Sequence, residues 1–186
     1  MPSGCWRFVC GLQGLAEQLL RLKQQRCPHC GRTETLNRHS RLYGNDPLTV
    51  DGRCLRGQRV WCCHRGRRRG CGRSFSVFLT DVLPRHTFPA VLLWSWLVEL
   101  LAGLSLKAAV DKLKLPFALE TVYQLRRKLR DGLARLRPWL CREEAPPAHT
   151  HLDPLFQTLG HLQSVFPRSP CPPADFQLHF QRPFLG

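Results

Sequence analysis

Two cysteine pairs decide what the first half of this chain can become: Cys27-Pro28-His29-Cys30-Gly31 and, after a long excursion, Cys62-Cys63 with Cys71-Gly72. Two thiolates three residues apart on a tight turn reach one metal ion, and a glycine after the second lets the backbone turn its amides toward the sulfurs. A second pair closes a tetrahedron around the ion, the arrangement that suits Zn2+. Cys27, Cys30 and Cys71 are the first three expected ligands. The fourth is open among Cys62, Cys63 and His64, which are adjacent. Cys62 is preferred because it directly follows the β-prone Arg59-Val60-Trp61, where the second hairpin of a ribbon would place a ligand. Consecutive strand residues point to opposite faces, so Cys62 and Cys63 do not both serve. The nine-residue step from Cys62 to Cys71 reads as a looped-out insertion, with Gly66 and Gly70 supplying the bends. Cys5, Cys10, Cys54, Cys141 and Cys171 have no partner spacing and read as free thiols, and His29 reads as facing solvent.

The charge around these cysteines is one-sided. The chain carries 28 Lys and Arg against 13 Asp and Glu, a net +15 over 186 residues. By segment the net charge is +3 over residues 1–26, +8 over 27–87, +5 over 88–140 and −1 over 141–186. The positive charge therefore sits on the two central segments, with Arg65-Gly66-Arg67-Arg68-Arg69-Gly70 inside the second cysteine pair, where no apolar core could absorb it. Such a balance favours a polyanionic partner, and a metal-stapled module carrying it points to nucleic acid. RNA is disfavoured because aromatics are not interleaved with the basic run as stacking platforms. A secreted disulfide framework is set aside because the cysteine spacing is that of metal knuckles and the N-terminus has no signal-peptide pattern. The only membrane candidate, residues 88–106, holds Glu99, Pro89, Ser95 and Gly103, whereas a spanning helix wants about 20 mainly apolar residues. No membrane partner is expected. The expected setting is a reduced bacterial-type cytoplasm, with the protein associated with the nucleoid.

Periodicity divides the chain into four parts: an N-terminal amphipathic helix in 1–26, a zinc ribbon in 27–84, a helical domain in 85–140 and a Pro-rich tail in 141–186. Leu12, Leu15, Leu19 and Leu22 form one helical stripe. The ribbon consists of short β-prone pieces at 35–42, 58–62 and 74–79, with a turn at Gly44-Asn45-Asp46-Pro47. It is expected to be too small for a substantial core, so that metal binding is its main folding energy. A strongly apolar helix follows at 88–102. A short helix then begins at the N-cap Ser105, carries Leu106, Ala109, Val110 and Leu113, and stops at Pro116. A longer third helix runs from about 118 to 136 on Val122, Leu125, Leu129, Leu133 and Leu136, with Pro138 expected to end it. The tail holds 8 of the 15 prolines and is expected to be disordered, apart from a possible short helix on Leu155, Leu159, Leu162 and Phe166. The fold class expected is small α+β.

Two helices joined at 114–117, the second longer and basic, fit a helix-turn-helix. On the third helix Glu120, Gln124, Arg127 and Asp131 point away from the apolar stripe, with Thr121 and Lys128 on its flank. Glu120, Thr121, Gln124, Arg127 and Lys128 are the candidates for base edges. Arg126, Arg130, Arg135 and Arg137 are candidates for phosphates, as are Arg65, Arg67, Arg68, Arg69 and Arg73 in the ribbon.

The order Cys-Pro-His-Cys-Gly, then an Arg-rich Cys-Gly-Arg-Ser-Phe, then an apolar helix and residues 103–130 resembles the N-terminal DNA-binding region of bacterial insertion-sequence transposases and stand-alone transposon-associated proteins of the same build. The likeness spans roughly 27–136. It implies zinc on Cys27, Cys30, Cys62 and Cys71 and contact between the third helix and transposon DNA. The lengthened second knuckle departs from that pattern. A transposase also needs a catalytic domain, commonly three acids holding two metals. After Leu140 only Glu143, Glu144, Asp153 and Asp175 remain, with no alternating strands. The expectation is therefore a binder and not an enzyme: a truncated transposase or accessory protein, a possible companion of a catalytic transposase subunit. The alternative is a zinc-ribbon adaptor that docks such a subunit or a polymerase.

Overall fold

The computed structural model describes residues 5–45, 52–66, 69–115, 117–148 and 151–185. It is a small α+β structure with a four-stranded sheet and six α-helices among the described residues. The chain divides into two compact units, Met1–Val82 with Gln177–Arg182, and Leu83–Phe176 with Pro183–Gly186.

In the first unit β1 (Trp6–Val9) leads into α1 (Gly11–Leu20) and a single 3-10 turn, Leu22–Gln24. Strands β2 (Leu36–Asn45), β3 (Arg53–Cys62) and β4 (Ser74–Leu79) follow. The order across the sheet is β1-β4-β3-β2, with β1 parallel to β4 and the other pairs antiparallel. The sheet has one buried face because β4 alternates strictly, with Phe75, Val77 and Leu79 inward. They pack with Leu15, Leu22, Leu36, Val60 and Val82, and with two of the cysteines, Cys27 and Cys62. The unit thus owns a real core, contrary to the expectation of a ribbon too small for a substantial one. At about 1.5–3 kcal/mol for each buried aliphatic or aromatic side chain, that core contributes substantially. Eight of its ten buried members lie within residues 27–82, and Leu15 of α1 and Leu22 complete it from the N-terminal side, with Val9 of β1 packed against them.

Of the N-terminal leucine stripe, Leu15 and Leu22 are buried, but Leu12 is 63% exposed because it lies in the first turn of α1. The edge of β1 is closed by the C-terminal residues of the chain. The Gln181 side-chain amide accepts from the Phe8 N–H (2.8 Å) and donates to the Phe8 carbonyl (3.0 Å), as a neighbouring strand would. Gln177, fully buried, donates to the carbonyls of Thr80 and Val82.

In the second unit α2 (Ala90–Leu101) buries Leu93, Trp94, Trp96, Leu97 and Leu100. Helix α3 (Leu106–Leu113) begins where the Ser105 hydroxyl accepts from the Ala108 N–H. Helix α4 runs over Leu119–Glu143 and buries Val122, Leu125, Leu129, Leu133, Leu136 and Leu140. Pro138 does not end it. Pro138 and Ala134 are both on the exposed side, so the carbonyl that loses its N–H partner can be solvated.

The tail is not disordered: it forms α5 (Pro154–Val165) and α6 (Pro172–Phe180). Its prolines mark helix starts. Pro154 stands in the first turn of α5 behind the N-cap Asp153, and Pro172 and Pro173 open α6, positions where a missing N–H costs nothing. Leu155, Leu159 and Leu162 are buried as the stripe expected, and α5 packs on α4. Among the described residues no helix is long and apolar enough to cross a membrane.

Candidate metal centre and nucleic-acid interface

The first knuckle is a turn closed by two backbone hydrogen bonds, Cys27 N–H to Arg32 O (2.9 Å) and Gly31 N–H to Cys27 O (2.8 Å). Gly31 takes a left-handed conformation, φ 72°, which completes the turn. The second knuckle sits where β3 meets β4: Cys62 N–H donates to Arg73 O (2.9 Å) and Gly72 N–H to Cys62 O (3.0 Å). Residues 63–70 leave and rejoin that hairpin, with Gly70 N–H returning to Cys63 O at 2.9 Å. The return is close: a Cβ on Gly70 would lie 2.2 Å from the Cys63 carbonyl and 2.7 Å from the Cys62 sulfur. Only glycine fits there, which is how eight residues separate two ligands without separating their sulfurs.

The thiols of Cys27, Cys30, Cys62 and Cys71 lie within 4.8 Å of one another. Cys27 Sγ is 3.8 Å from Cys71 Sγ, and Cys30 Sγ is 3.8 Å from Cys62 Sγ. A tetrahedron with metal–sulfur bonds of about 2.3 Å has edges of about 3.8 Å, whereas a disulfide needs about 2.05 Å. The cluster therefore has the dimensions of a four-thiolate metal site and could hold an ion.

Donors aimed at the sulfurs surround it. His29 N–H points at Cys27 Sγ (3.4 Å), Cys71 N–H at Cys62 Sγ (3.3 Å), and the buried Thr35 hydroxyl lies 3.2 Å from Cys62 Sγ. Burial pushes Cys27 up to about 12 against the pull of the His29 and Cys30 amides. Burial acts upward on Cys62 too, but the Thr35 and Cys71 hydrogen bonds and the neighbouring thiols outweigh it and bring Cys62 down to about 7. Cys71 is raised, first by burial. Four sulfurs this close cannot all ionise by themselves, and a cation among them is what would let them do so.

Cys63 stands apart from the four. It is buried, with Sγ 3.9 Å from Arg65 O, while the exposed His64 sets its ring edge-on to Trp61. His29 does not simply face solvent: it is half-buried, with Nε2 3.2 Å from Ser74 O, joining the first knuckle to β4. Cys5, Cys10, Cys54, Cys141 and Cys171 form no disulfide. Thr35 was not singled out by the sequence. Its only signal there was a hydroxyl residue opening a β-prone run.

Arg65 is exposed and lies 5.6 Å over the Trp61 ring. Arg69 and Arg73 are exposed, and the Arg69 carbonyl accepts a hydrogen bond from Arg32. Arg67 and Arg68 lie outside the described residues, as do Pro116 and the second half of the expected turn at 44–47, whose first half, Gly44 and Asn45, ends β2.

On α4, Glu120, Thr121, Gln124, Arg127 and Lys128 are all exposed, as the angular reading expected. The described part of the turn before them lacks a glycine, and Lys114 takes the left-handed position. Lys114 adopts φ 49°, ψ 43°, and Leu115 N–H bonds back to Val110 O at 3.1 Å, the closure a left-handed glycine normally gives. Arg126 and Arg130, expected at phosphates, are engaged within the protein. Both reach Asp153, at 3.2 and 2.6 Å. Arg137 donates to Thr158 Oγ1 and to Pro154 O, each at 2.9 Å. These arginines fasten α5 onto α4, a role hidden while the tail was read as unstructured.

No protein-family model matches the chain, and neither a curated protein nor a solved structure matches it.

Proposed function

We propose that this chain is a zinc-loaded, double-stranded-DNA-binding protein of transposase type, a truncated or accessory form that binds mobile-element DNA without catalysing a step itself. Four convergent thiols at tetrahedral spacing suit Zn2+, whose filled d shell accepts that geometry without strain. The ion would be structural, because Cys27, Cys30, Cys62 and Cys71 fill all four positions and leave none for a water. The single observation that carries the DNA reading is the outward face of α4. Its first turns present Glu120, Thr121, Gln124, Arg127 and Lys128 to solvent directly after a short capped helix and a tight left-handed turn. Gln can pair with adenine, Arg with guanine and Glu with cytosine in a major groove. A net charge of +15 supplies the non-specific attraction.

The adaptor reading has one observation in its favour. Leu119 and Tyr123, one turn apart at the start of α4, are 36% and 56% exposed, and such side chains suit a protein partner. A salt titration separates the two. Metal-loaded protein mixed with a labelled duplex at about 50 mM salt should bind and then weaken steeply as salt rises. No salt-sensitive duplex binding would reject the DNA reading and leave the adaptor.

A further inference from the structure

The longest feature of the sheet unit is the β2–β3 ribbon, and it outruns the sheet. Strand β3 pairs with β4 only over Gly57–Trp61, so its first residues, Arg53 to Arg56, are paired only with β2, although Leu55 still packs against the sheet core. Four residues at about 3.3 Å each make a two-stranded projection of about 13 Å. The twenty residues of the two strands include Arg38, Arg41, Arg53, Arg56 and Arg59 and not one acid. The pairing slips between Arg38 and Arg41 and again between Leu42 and Tyr43, so simple alternation does not run the length of the ribbon. Side-chain contacts put Arg41, Tyr43 and Arg53 on one face, and Arg59 is on the other because Arg41 pairs with its neighbour Gln58. Arg38, Arg41, Arg53 and Arg59 are exposed, and among the described residues none of the four is in an ion pair. Tyr43, 46% exposed, gathers two of them: the Arg53 guanidinium lies 5.0 Å over its ring and Arg41 Nη1 donates to its hydroxyl at 3.4 Å.

We infer that this ribbon is a second DNA-binding element, entering the major groove of a duplex with guanidinium groups on both faces toward the phosphates and base edges. The inference rests on the DNA reading above and adds a contact surface that reading does not contain. A major groove about 12 Å wide and 8.5 Å deep admits a two-stranded β-ribbon. The competing account is edge protection, in which charges on an outer strand only prevent sheet-to-sheet pairing. Two facts favour the ribbon over that account. Arg59 belongs to β3, which is not an edge strand. Every cation between residues 27 and 87 is an arginine and none a lysine. Lysine is the usual guard of an edge, whereas the guanidinium fork matches phosphate and guanine bidentately.

The test uses the full-length, metal-loaded chain and a duplex of about 30 base pairs, with Kd followed by anisotropy across a salt series. Replacing Arg41, Arg53 and Arg59 by serine should weaken binding at least tenfold at about 100 mM salt. The slope of log K against log salt should flatten by about 0.9 for each phosphate no longer neutralised. The lysine triple, which keeps the charge, should retain most of the slope and serves if the serine triple does not fold. In the unaltered protein, bound DNA should shield these arginines from phenylglyoxal. If wild type binds but the serine triple matches its Kd and slope, or the shielding is absent, the ribbon does not touch the duplex and the α4 reading stands by itself. If wild type shows no salt-sensitive binding, both fall together. Preferential binding of duplex RNA overturns the assignment to DNA. A concentration-dependent dimer that the serine triple abolishes, without change in DNA affinity, assigns the strand edge to self-association instead.

Discussion

Cys62 and Cys63 differ by one position and by everything that matters to a metal. The strand runs up to Cys62, whose sulfur turns inward to Cys30 Sγ and the Thr35 hydroxyl, while Cys63 packs against its own loop. Cys62→Ser and Cys27→Ser should each purify with little or no zinc, whereas Cys63→Ser and Cys171→Ser should keep about one zinc per chain by elemental analysis. Zinc lost from Cys63→Ser and kept by Cys62→Ser would reverse the assignment. Asp153 is the other residue whose neighbours decide its role. Burial acts upward on its carboxyl, but the Leu155 N–H at 2.9 Å and the Arg130 and Arg126 guanidiniums hold it below the usual 3.8. A carboxyl depressed in the folded state stabilises above its unfolded pKa, and that stability is lost as pH falls through the folded value. Asp153→Ala should therefore cost about 1–2 kcal/mol at pH 7 from the lost cap alone, with more from the half-buried Arg126 left without its partner. The deficit relative to wild type should close as the pH drops below about 4, as urea unfolding at pH 7 and pH 3 would measure. An equal deficit at both values would mean the carboxylate charge is not what stabilises.

Helix α4 carries two kinds of arginine that the sequence cannot tell apart. Arg127 is exposed on the outer face, while Arg126 and Arg130 turn toward Asp153. Gln124→Ala and Arg127→Ala should each cost roughly 1–3 kcal/mol on the preferred DNA site and little on random duplex, because base-edge contacts carry discrimination. Arg126→Ala and Arg130→Ala should lower the unfolding midpoint and leave the DNA salt slope nearly untouched. Equal losses on specific and random duplex from Gln124→Ala would remove base readout from this helix. The apolar spacings of α3 and α4 and the Ser105 cap were legible in the sequence because they are local: a hydroxyl three residues ahead of an orphan N–H, and leucines every third or fourth position. Cys27, Cys30 and Cys71 were legible for the same reason. Strand β1 was not, since four residues make too short a run for alternation to show, and its pairing with β4 lies seventy residues away. Nor were α5 and α6: proline counts suggest disorder, and only the positions of Pro154, Pro172 and Pro173 at helix starts reverse that reading. The Asp153 contacts with Arg126 and Arg130 join residues more than twenty apart, and no window along the sequence brings them together.

Across the whole chain the metal-site residues and the core are not independent. Cys27 and Cys62 are members of the cluster that includes Leu36, Val60 and Phe75, so the two knuckles are anchored in the same packing that holds the sheet. A four-thiolate zinc site contributes on the order of 10 kcal/mol of apparent binding energy at neutral pH, more than the net stability of many domains. If the site holds zinc as proposed, its removal would leave two buried sulfurs, of Cys27 and Cys62, whose charges repel or whose protons must return. On that reading, a loss of that size would exceed the net stability expected of a unit with a core of ten buried residues. The second unit has no part in the cluster: the buried faces of α2, α4 and α5 are built from Trp96, Leu97, Leu129, Leu140 and Leu159. Chelation of the intact protein should therefore raise amide hydrogen exchange throughout β2, β3 and β4, while α2, α4 and α5 keep their protection and most of the helical circular dichroism remains. Acidification should release the metal in the same order of events, because protons compete for thiolates. Sheet amides that stay protected in fully chelated protein would show that the packing around Leu36 and Val60 holds the fold without metal, and zinc would then be dispensable to the fold.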